Sequence, residues 1–333
     1  VNNLGRLAII AIIVVVVALL VCLCFIGAKT ASNTTTKAGA AGKIIGVAGA
    51  PNRTAINFAI NNSLEYFRAD IRLNQNEIQN ISQATASGMH FLGIIDYDTL
   101  GAQPSPSGCI SDCNWTLDDW NATVFNAIRS YPEVHIWEIW NEPLVSRFMS
   151  GYENGSAYNY YIMVKSAYRI IKQHNSTDTV LCFGGGFLAD PSGYDWYGRV
   201  WAYGLSQYCD GISLHAYTGS YLLNQTPAGS TEQVGQILNR SLSEYENLTS
   251  KPIWITEVGM PSNIGQSQTD FLNQVMSLFL TKTYVKGVFW YNLVGYSGSA
   301  DYGLLNATTM APKPSWYAFK SILNGSADDK IRS

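Results

Sequence analysis

The sequence predicts an α/β chain, a (β/α)8 TIM barrel preceded by an N-terminal transmembrane helix and a flexible linker. Three observations carry that expectation. From Lys43 onward, short β-branched runs alternate with helix-favouring segments, an order that predicts a parallel sheet with helices outside it. The runs number eight, which closes a barrel. Two of them carry a glutamate near the C-terminal tip: His135-Ile136-Trp137-Glu138-Ile139-Trp140-Asn141-Glu142-Pro143 and Pro252-Ile253-Trp254-Ile255-Thr256-Glu257-Val258. Proline cannot donate to a sheet, so the first strand must end at Asn141-Glu142.

The elements follow in order. Residues 1–6 form a short N-terminal segment. Residues 7–28 contain no charge and are dominated by valine and isoleucine. They are long enough for a membrane anchor, which needs about 20 apolar residues. Arg6 sets the N-terminus on the cytoplasmic side by the positive-inside rule. The expected location is therefore a cell membrane, single-pass, with the barrel domain extracellular. If Ile26-Gly27-Ala28 is a cleavage site, the product is secreted instead. Residues 29–42 are a Ser/Thr/Gly/Ala linker with nothing large to bury. The barrel spans 43–325 and a tail 326–333.

Within it the expected strands are Ile44–Ala48, Tyr66–Ile71, Phe91–Tyr97, Val134–Trp140, Val180–Gly184, Gly211–His215, Ile253–Val258 and Val288–Leu293. The expected helices are Ala55–Ser63, Gln75–Ser87, Asp118–Ser130, Ala157–His174, Trp196–Tyr208, Glu232–Asn247, Thr269–Tyr284 and Ser315–Leu323.

Composition narrows the function. A net charge of −3 on 333 residues gives no footprint for nucleic acid. The aromatic content of 12% suits either sugar stacking or a large aromatic core. Thirteen Asn-x-Ser/Thr acceptor sites point to a translocated glycoprotein. Cys22 and Cys24 fall in the anchor. Cys109 and Cys113 share a polar loop and form either a small disulfide or two free thiols. Cys182 and Cys209 read as core residues. No His/Cys cluster has metal-ligand spacing and no glycine loop suits a phosphate, so neither metal nor cofactor is implied.

The active site of such a barrel lies at the C-terminal strand tips. Polar residues there are Arg68, Asp96, Asp98, Asn141, Glu142, His215, Tyr217 and Glu257, with Trp290 beside them. Strands four and seven face each other across the mouth, so Glu142 and Glu257 can flank one glycosidic bond. Glu138 competes with Glu142 but sits deeper in its strand. Asp96 and Asp98 read as subsite or turn residues.

This ordered set resembles the clan A glycoside hydrolases, most nearly families 5 and 39, from Lys43 to Gly325. The resemblance implies that Asn141-Glu142 supplies the acid/base, Glu142, and that Glu257 is the nucleophile. It assigns supporting places to Arg68, to the His215-Ala216-Tyr217 pair after strand six, and to Trp290 as the floor of the sugar nearest the cleaved bond. Family 5 members commonly end strand three with a histidine, where this chain has Asp96-Tyr97-Asp98. Arg68 would hold the Glu257 carboxyl ionised, Tyr217 would donate to it, Asn141 would bind the sugar 2-OH, and His215 would orient a carboxylate. The implied activity is retaining hydrolysis of β-glycosidic bonds in an extracellular polysaccharide or oligosaccharide, with a β-glucan, mannan or xylan favoured. A transglycosylase on the same site and a non-catalytic surface glycan-binding protein are the alternatives.

Overall fold

The computed structural model describes residues 42–101, 116–145, 149, 156–188, 191–217, 231–262, 267–296 and 301–330. Eight strands follow one another: β1 (Ile44–Ala48), β2 (Tyr66–Asp70), β3 (His90–Ile95), β4 (Ile136–Ile139), β5 (Thr179–Phe187), β6 (Gly211–Tyr217), β7 (Ile253–Gly259) and β8 (Val285–Tyr291). Every pairing is parallel, and β1 closes on β8, so the sheet is a barrel without edges.

Helices return the chain between strands. Several start where the sequence supplies a cap. Asn52, Asn74, Thr116 and Ser267 each accept a hydrogen bond from the N–H three residues on, filling donors that the first turn leaves open. Several elements differ from expectation: β5 runs on to Phe187, β6 to Tyr217 and the last helix to Lys330, and a helical turn forms at Tyr97–Leu100. β8 begins three residues early, at Val285. The expected helix Trp196–Tyr208 is a helix at Pro191–Ala202 and then a short 3-10 turn at Leu205–Tyr208. Gly204, with φ 90°, breaks it.

The barrel holds two apolar regions. The larger lies between strands and helices. The smaller fills the barrel axis with Leu92, Ile94, Leu181, Trp254 and Phe289. Two large side chains fit there because glycines face them. A Cβ on Gly46 would lie 2.6 Å from Phe289, and one on Gly287 would lie 2.6 Å from Trp254. Large-against-none pairing fills the axis as a packed core, not a pore.

The expected architecture is corrected at its N-terminal end. Among the described residues no helix is long and apolar enough to cross a membrane. Barrel helices bury one stripe and keep a polar face: the 19-residue Ser156–His174 carries Lys165, Arg169 and Lys172. The fold described is the barrel, and the membrane anchor, membrane partner and single-pass location have no counterpart in it. Residues 7–28, from which they were read, lie outside the described residues, as do Cys22, Cys24, Cys109 and Cys113.

Cys182 and Cys209 are buried, as core residues should be, yet they are bonded to each other. Their Cα atoms lie 5.8 Å apart, an ordinary disulfide spacing. The parallel register that sets Cys182 against Ile212 brings β5 beside the segment before β6. Closing that 27-residue separation should stabilise the fold by about 3–4 kcal/mol in the chain-entropy view. Cys209→Ser, or reduction of the intact protein, is therefore expected to lower the thermal midpoint by about 5–10 °C without changing the far-ultraviolet circular dichroism at 25 °C.

Candidate active site

The site begins where β4 stops. Trp140 and Glu142 both adopt left-handed backbone, φ 69° and 47°, a conformation that costs a non-glycine residue about 1–2 kcal/mol. Two hydrogen bonds hold them. The Trp140 N–H donates to the Ile95 carbonyl at 2.9 Å, and the Glu142 N–H donates to the Gly184 carbonyl at 2.6 Å. Trp140 turns into the core against Trp120 and Tyr97, and Glu142 faces the cleft.

Arg68, only 2% exposed, is the hub beneath. Its Nε donates to Glu138 Oε2 at 2.6 Å, one terminal nitrogen to Glu257 Oε1 at 2.5 Å, and the other to Asn141 Oδ1 at 3.1 Å. Thr256 Oγ1 donates to the second oxygen of Glu138 at 3.0 Å. Glu138 is thus fully engaged below the cleft, away from any substrate, which removes it as a rival to Glu142. Consecutive residues Thr256 and Glu257 both reach this network because the β6–β7 register slips by one between Leu214–Ile255 and His215–Glu257. Such a bulge re-aims a side chain that simple alternation would turn outward.

His215 is fully buried between the two carboxylates. Its Nδ1 lies 3.0 Å from Glu142 Oε1, and its Nε2 lies 3.6 Å from Glu257 Oε1 and 3.3 Å from the Arg68 guanidinium. One atom from each of Glu142, His215 and Glu257 falls within 4.8 Å of the others. The ring fits because Gly185, at φ +75°, has no side chain: a Cβ there would lie 2.1 Å from Nε2.

Burial pushes the Glu257 carboxyl up, but the charges of His215 and Arg68 and hydrogen bonds from Tyr217 and Arg68 outweigh it. The group stays below its usual range. The Tyr217 hydroxyl is pushed well up, first by burial and then by Glu257, so it remains a donor.

Two expected residues lie elsewhere. Trp290 is completely buried, packs against Phe271, and donates its indole N–H to the Tyr302 carbonyl at 3.3 Å. Period-2 alternation explains the difference: Phe289 points into the barrel, Trp290 outward to the helix layer, and Tyr291 back into the cleft. Asp96 is likewise buried. It caps the turn Tyr97–Leu100 by accepting from the Asp98 N–H at 2.9 Å, as expected of a turn residue. Asp98 pairs with Arg72.

The cleft, about 360 Å³, is lined instead by residues the sequence reading passed over: Asp70, Arg72, Tyr97, Tyr291, Tyr296 and Tyr302 join Arg68, Asn141, Glu142, Tyr217 and Glu257. Asp70 and Tyr291 were legible from strand alternation. Tyr302 lies beyond the last strand and gave no signal.

A parallel eightfold barrel with paired carboxylates, a guanidinium and an imidazole at its mouth is the architecture of a glycoside hydrolase. Residues 115–317 match the glycosyl hydrolase catalytic core family, and the chain belongs to that family. No curated protein matches it by sequence. Solved structures do match in fold. A family 39 glycoside hydrolase from the gut symbiont Bacteroides cellulosilyticus WH2 superimposes with a TM-score of 0.62 at 22% identity, over 86% of this chain and 64% of that one. The β-glucuronidase of Faecalibacterium prausnitzii gives 0.58 at 16% identity, over 84% and 48%. That of Ruminococcus gnavus, in complex with D-glucuronic acid, gives 0.60 at 14% identity, over 84% and 48%. This chain spans about half to two thirds of those proteins. The barrel thus shares its fold with a family 39 glycoside hydrolase and with β-glucuronidases.

Gly185→Ala should drive its Cβ into the His215 ring and lower kcat/KM by at least about 100-fold while the barrel still folds. Gly198→Ala, in the helix Pro191–Ala202 with nothing within 4 Å of the new Cβ, is the control. It should leave activity unchanged and stabilise by up to about 1 kcal/mol.

Proposed function

We propose that this chain is a retaining hydrolase of β-glycosides, of a type nearer family 39 than family 5. Glu257 is the nucleophile and Glu142 the acid/base. The observation that carries the reading is the close approach of Glu142, His215 and Glu257, within 4.8 Å. A retaining pair needs about 5–5.5 Å, whereas an inverting pair needs roughly 6.5–9.5 Å to seat a water between.

The chemistry follows from the contacts. Glu257, kept ionised by His215 and Arg68, attacks the anomeric carbon and forms a glycosyl ester as the bond to the leaving oxygen breaks. Glu142 gives that oxygen its proton. It then takes a proton from water, which attacks the same carbon, breaks the ester and releases Glu257. The Asn141 carbonyl oxygen is committed to Arg68, so its NH2 group, which also bonds the Tyr97 hydroxyl, has its second N–H to donate to the sugar 2-OH. Tyr217 orients Glu257 and supports the returning carboxylate.

An activated 2-deoxy-2-fluoro glycoside should accumulate as an ester on the peptide containing Trp254-Ile255-Thr256-Glu257. Early NMR spectra of turnover should show the retained anomer. The inverted anomer as first product, or a label on Glu142, would overturn these roles. A second expectation concerns pH. Arg68→Met alone would strand Glu138 as a buried charge, at a cost of about 3–5 kcal/mol, so it is paired with Glu138→Gln. Removing the guanidinium should let burial raise the Glu257 carboxyl. The acid limb of kcat/KM should then move to higher pH, with less activity below neutrality and a smaller loss above it. An acid limb left in place would mean that Arg68 does not act on the nucleophile.

A further inference from the structure

β2 turns two polar side chains toward the cleft, Arg68 and Asp70, on either side of buried Ala69. Two residues along a strand advance about 6.6 Å. Asp70 therefore stands one pleat above the guanidinium that holds Glu257, at the height where a sugar attacked by that carboxylate would lie. Its carboxylate makes no hydrogen bond or ion pair among the described residues, although it lines a cleft whose other described charged groups are all engaged.

The cations of the cleft wall are already held. Arg68 is divided among Glu138, Glu257 and Asn141. Arg72 lies between Asp98 and Glu77. No lysine lines the cleft among the described residues. Among the described residues, a substrate carboxylate entering here would meet Asp70, Glu142 and Glu257 and no uncommitted cation. A hydroxyl would meet an acceptor that lacks a donor.

We propose that Asp70 is a specificity-determining residue: it accepts hydrogen bonds from ring hydroxyls of a neutral sugar lying over Glu257, and it turns away sugars that carry a carboxylate. This rests on the reading of Glu257 as nucleophile. It sets the substrate class apart from the glucuronic acid named with one of the similar structures. The electrostatics agree. Burial, then the neighbouring Asp98 and Glu257 charges against the pull of Arg68 and Arg72, push the Asp70 carboxyl up to about 6. Above that pH it is an under-solvated anion, which gains from donors and is penalised by a second carboxylate.

The test uses the whole chain, with Asp70→Asn as an isosteric variant and Asp70→Ala as a truncation, at pH 7. Aryl β-glucoside and β-xyloside should be turned over at least about 100-fold more efficiently than the aryl β-glucuronide. Asp70→Ala should lower kcat/KM on the neutral substrate about 10–100-fold, the loss expected for hydrogen bonds to a charged acceptor, and mostly through KM. Asp70→Asn should narrow the neutral-to-uronic ratio at least tenfold, which a merely structural role would not do. Calorimetric binding of isofagomine and of its carboxylate-bearing counterpart should show the same order without relying on turnover. Tighter binding of the uronic inhibitor by the unaltered chain, or an unchanged ratio in Asp70→Asn, would overturn the proposal. A missing label on Glu257 alongside the expected inhibitor order would instead overturn the mechanism and leave the ligand class standing.

Discussion

The guanidinium of Arg68 is the constraint on which the mouth of this barrel depends. A charge sealed inside a fold is destabilising by several kcal/mol unless its donors are matched. Here the donors go to Glu138, Glu257 and Asn141, which come from β4, the turn after it, and β7. One side chain on β2 thereby fixes the relative heights of strands on opposite sides of the barrel. Glu138 lies on the floor side of that cation, with its other oxygen taken by Thr256. The carboxylate on the upper side, Glu257, also receives the Tyr217 hydroxyl. Two glutamates of similar chemistry thus differ in role through position alone: one anchors the arginine from below, the other faces the cleft.

Backbone geometry makes that arrangement fit. The segment Phe183-Gly184-Gly185 takes three successive positive φ values. Its slack puts the Gly184 carbonyl under the Glu142 N–H and clears the volume that His215 occupies. The left-handed Trp140 and Glu142 are the strained counterpart across the β4–β5 junction. Strain of this sort persists where surrounding contacts over-determine it. Here those contacts are two backbone hydrogen bonds and the aromatic packing around Trp140.

Much of this was legible in the sequence, for reasons that differ by element. The barrel followed from eight short runs separated by helical segments, because a parallel strand needs a crossover to reach the next. Glu142 and Glu257 stood out because proline ends β4 and an apolar run carries Glu257 to the tip of β7. Irregularities hid what was missed. The bulge in β7 sends Thr256 and Glu257 into one network, which a period of two forbids. Trp290 was assigned by family resemblance, although alternation with Phe289 puts it outside and Tyr291 inside. The Cys182–Cys209 bond depends on register between neighbouring strands, and sequence spacing does not encode register. Asp70 was in view two residues after Arg68, but a carboxylate without a partner is recognisable only once its neighbours are known.

The charge inventory of the mouth explains why these acids cannot behave alike. Glu77, Asp70, Asp96, Asp98, Glu138, Glu142 and Glu257 gather around two arginines, Arg68 and Arg72. With too few cations, the low dielectric of the site separates the carboxyls by position. Glu257, touching Arg68 and His215, is held low. Burial, against the pull of the Arg72 contacts, raises the Glu77 carboxyl to about 7. Asp96, buried and then crowded by Asp70 and Asp98, is raised well above its ordinary range. The linkage has opposite signs for these groups. A lowered carboxyl stabilises the fold above its unfolded pKa, and that contribution fades as pH falls through the folded value. A raised one contributes most below its unfolded pKa, and that contribution is lost as pH rises through the folded value, near 6 for Asp70 and near 7 for Glu77. The same crowding that leaves the described cleft residues short of free positive charge therefore sets them against one another as pH rises. Hydroxyl groups entering from a bound sugar supply donors that the protein itself withholds.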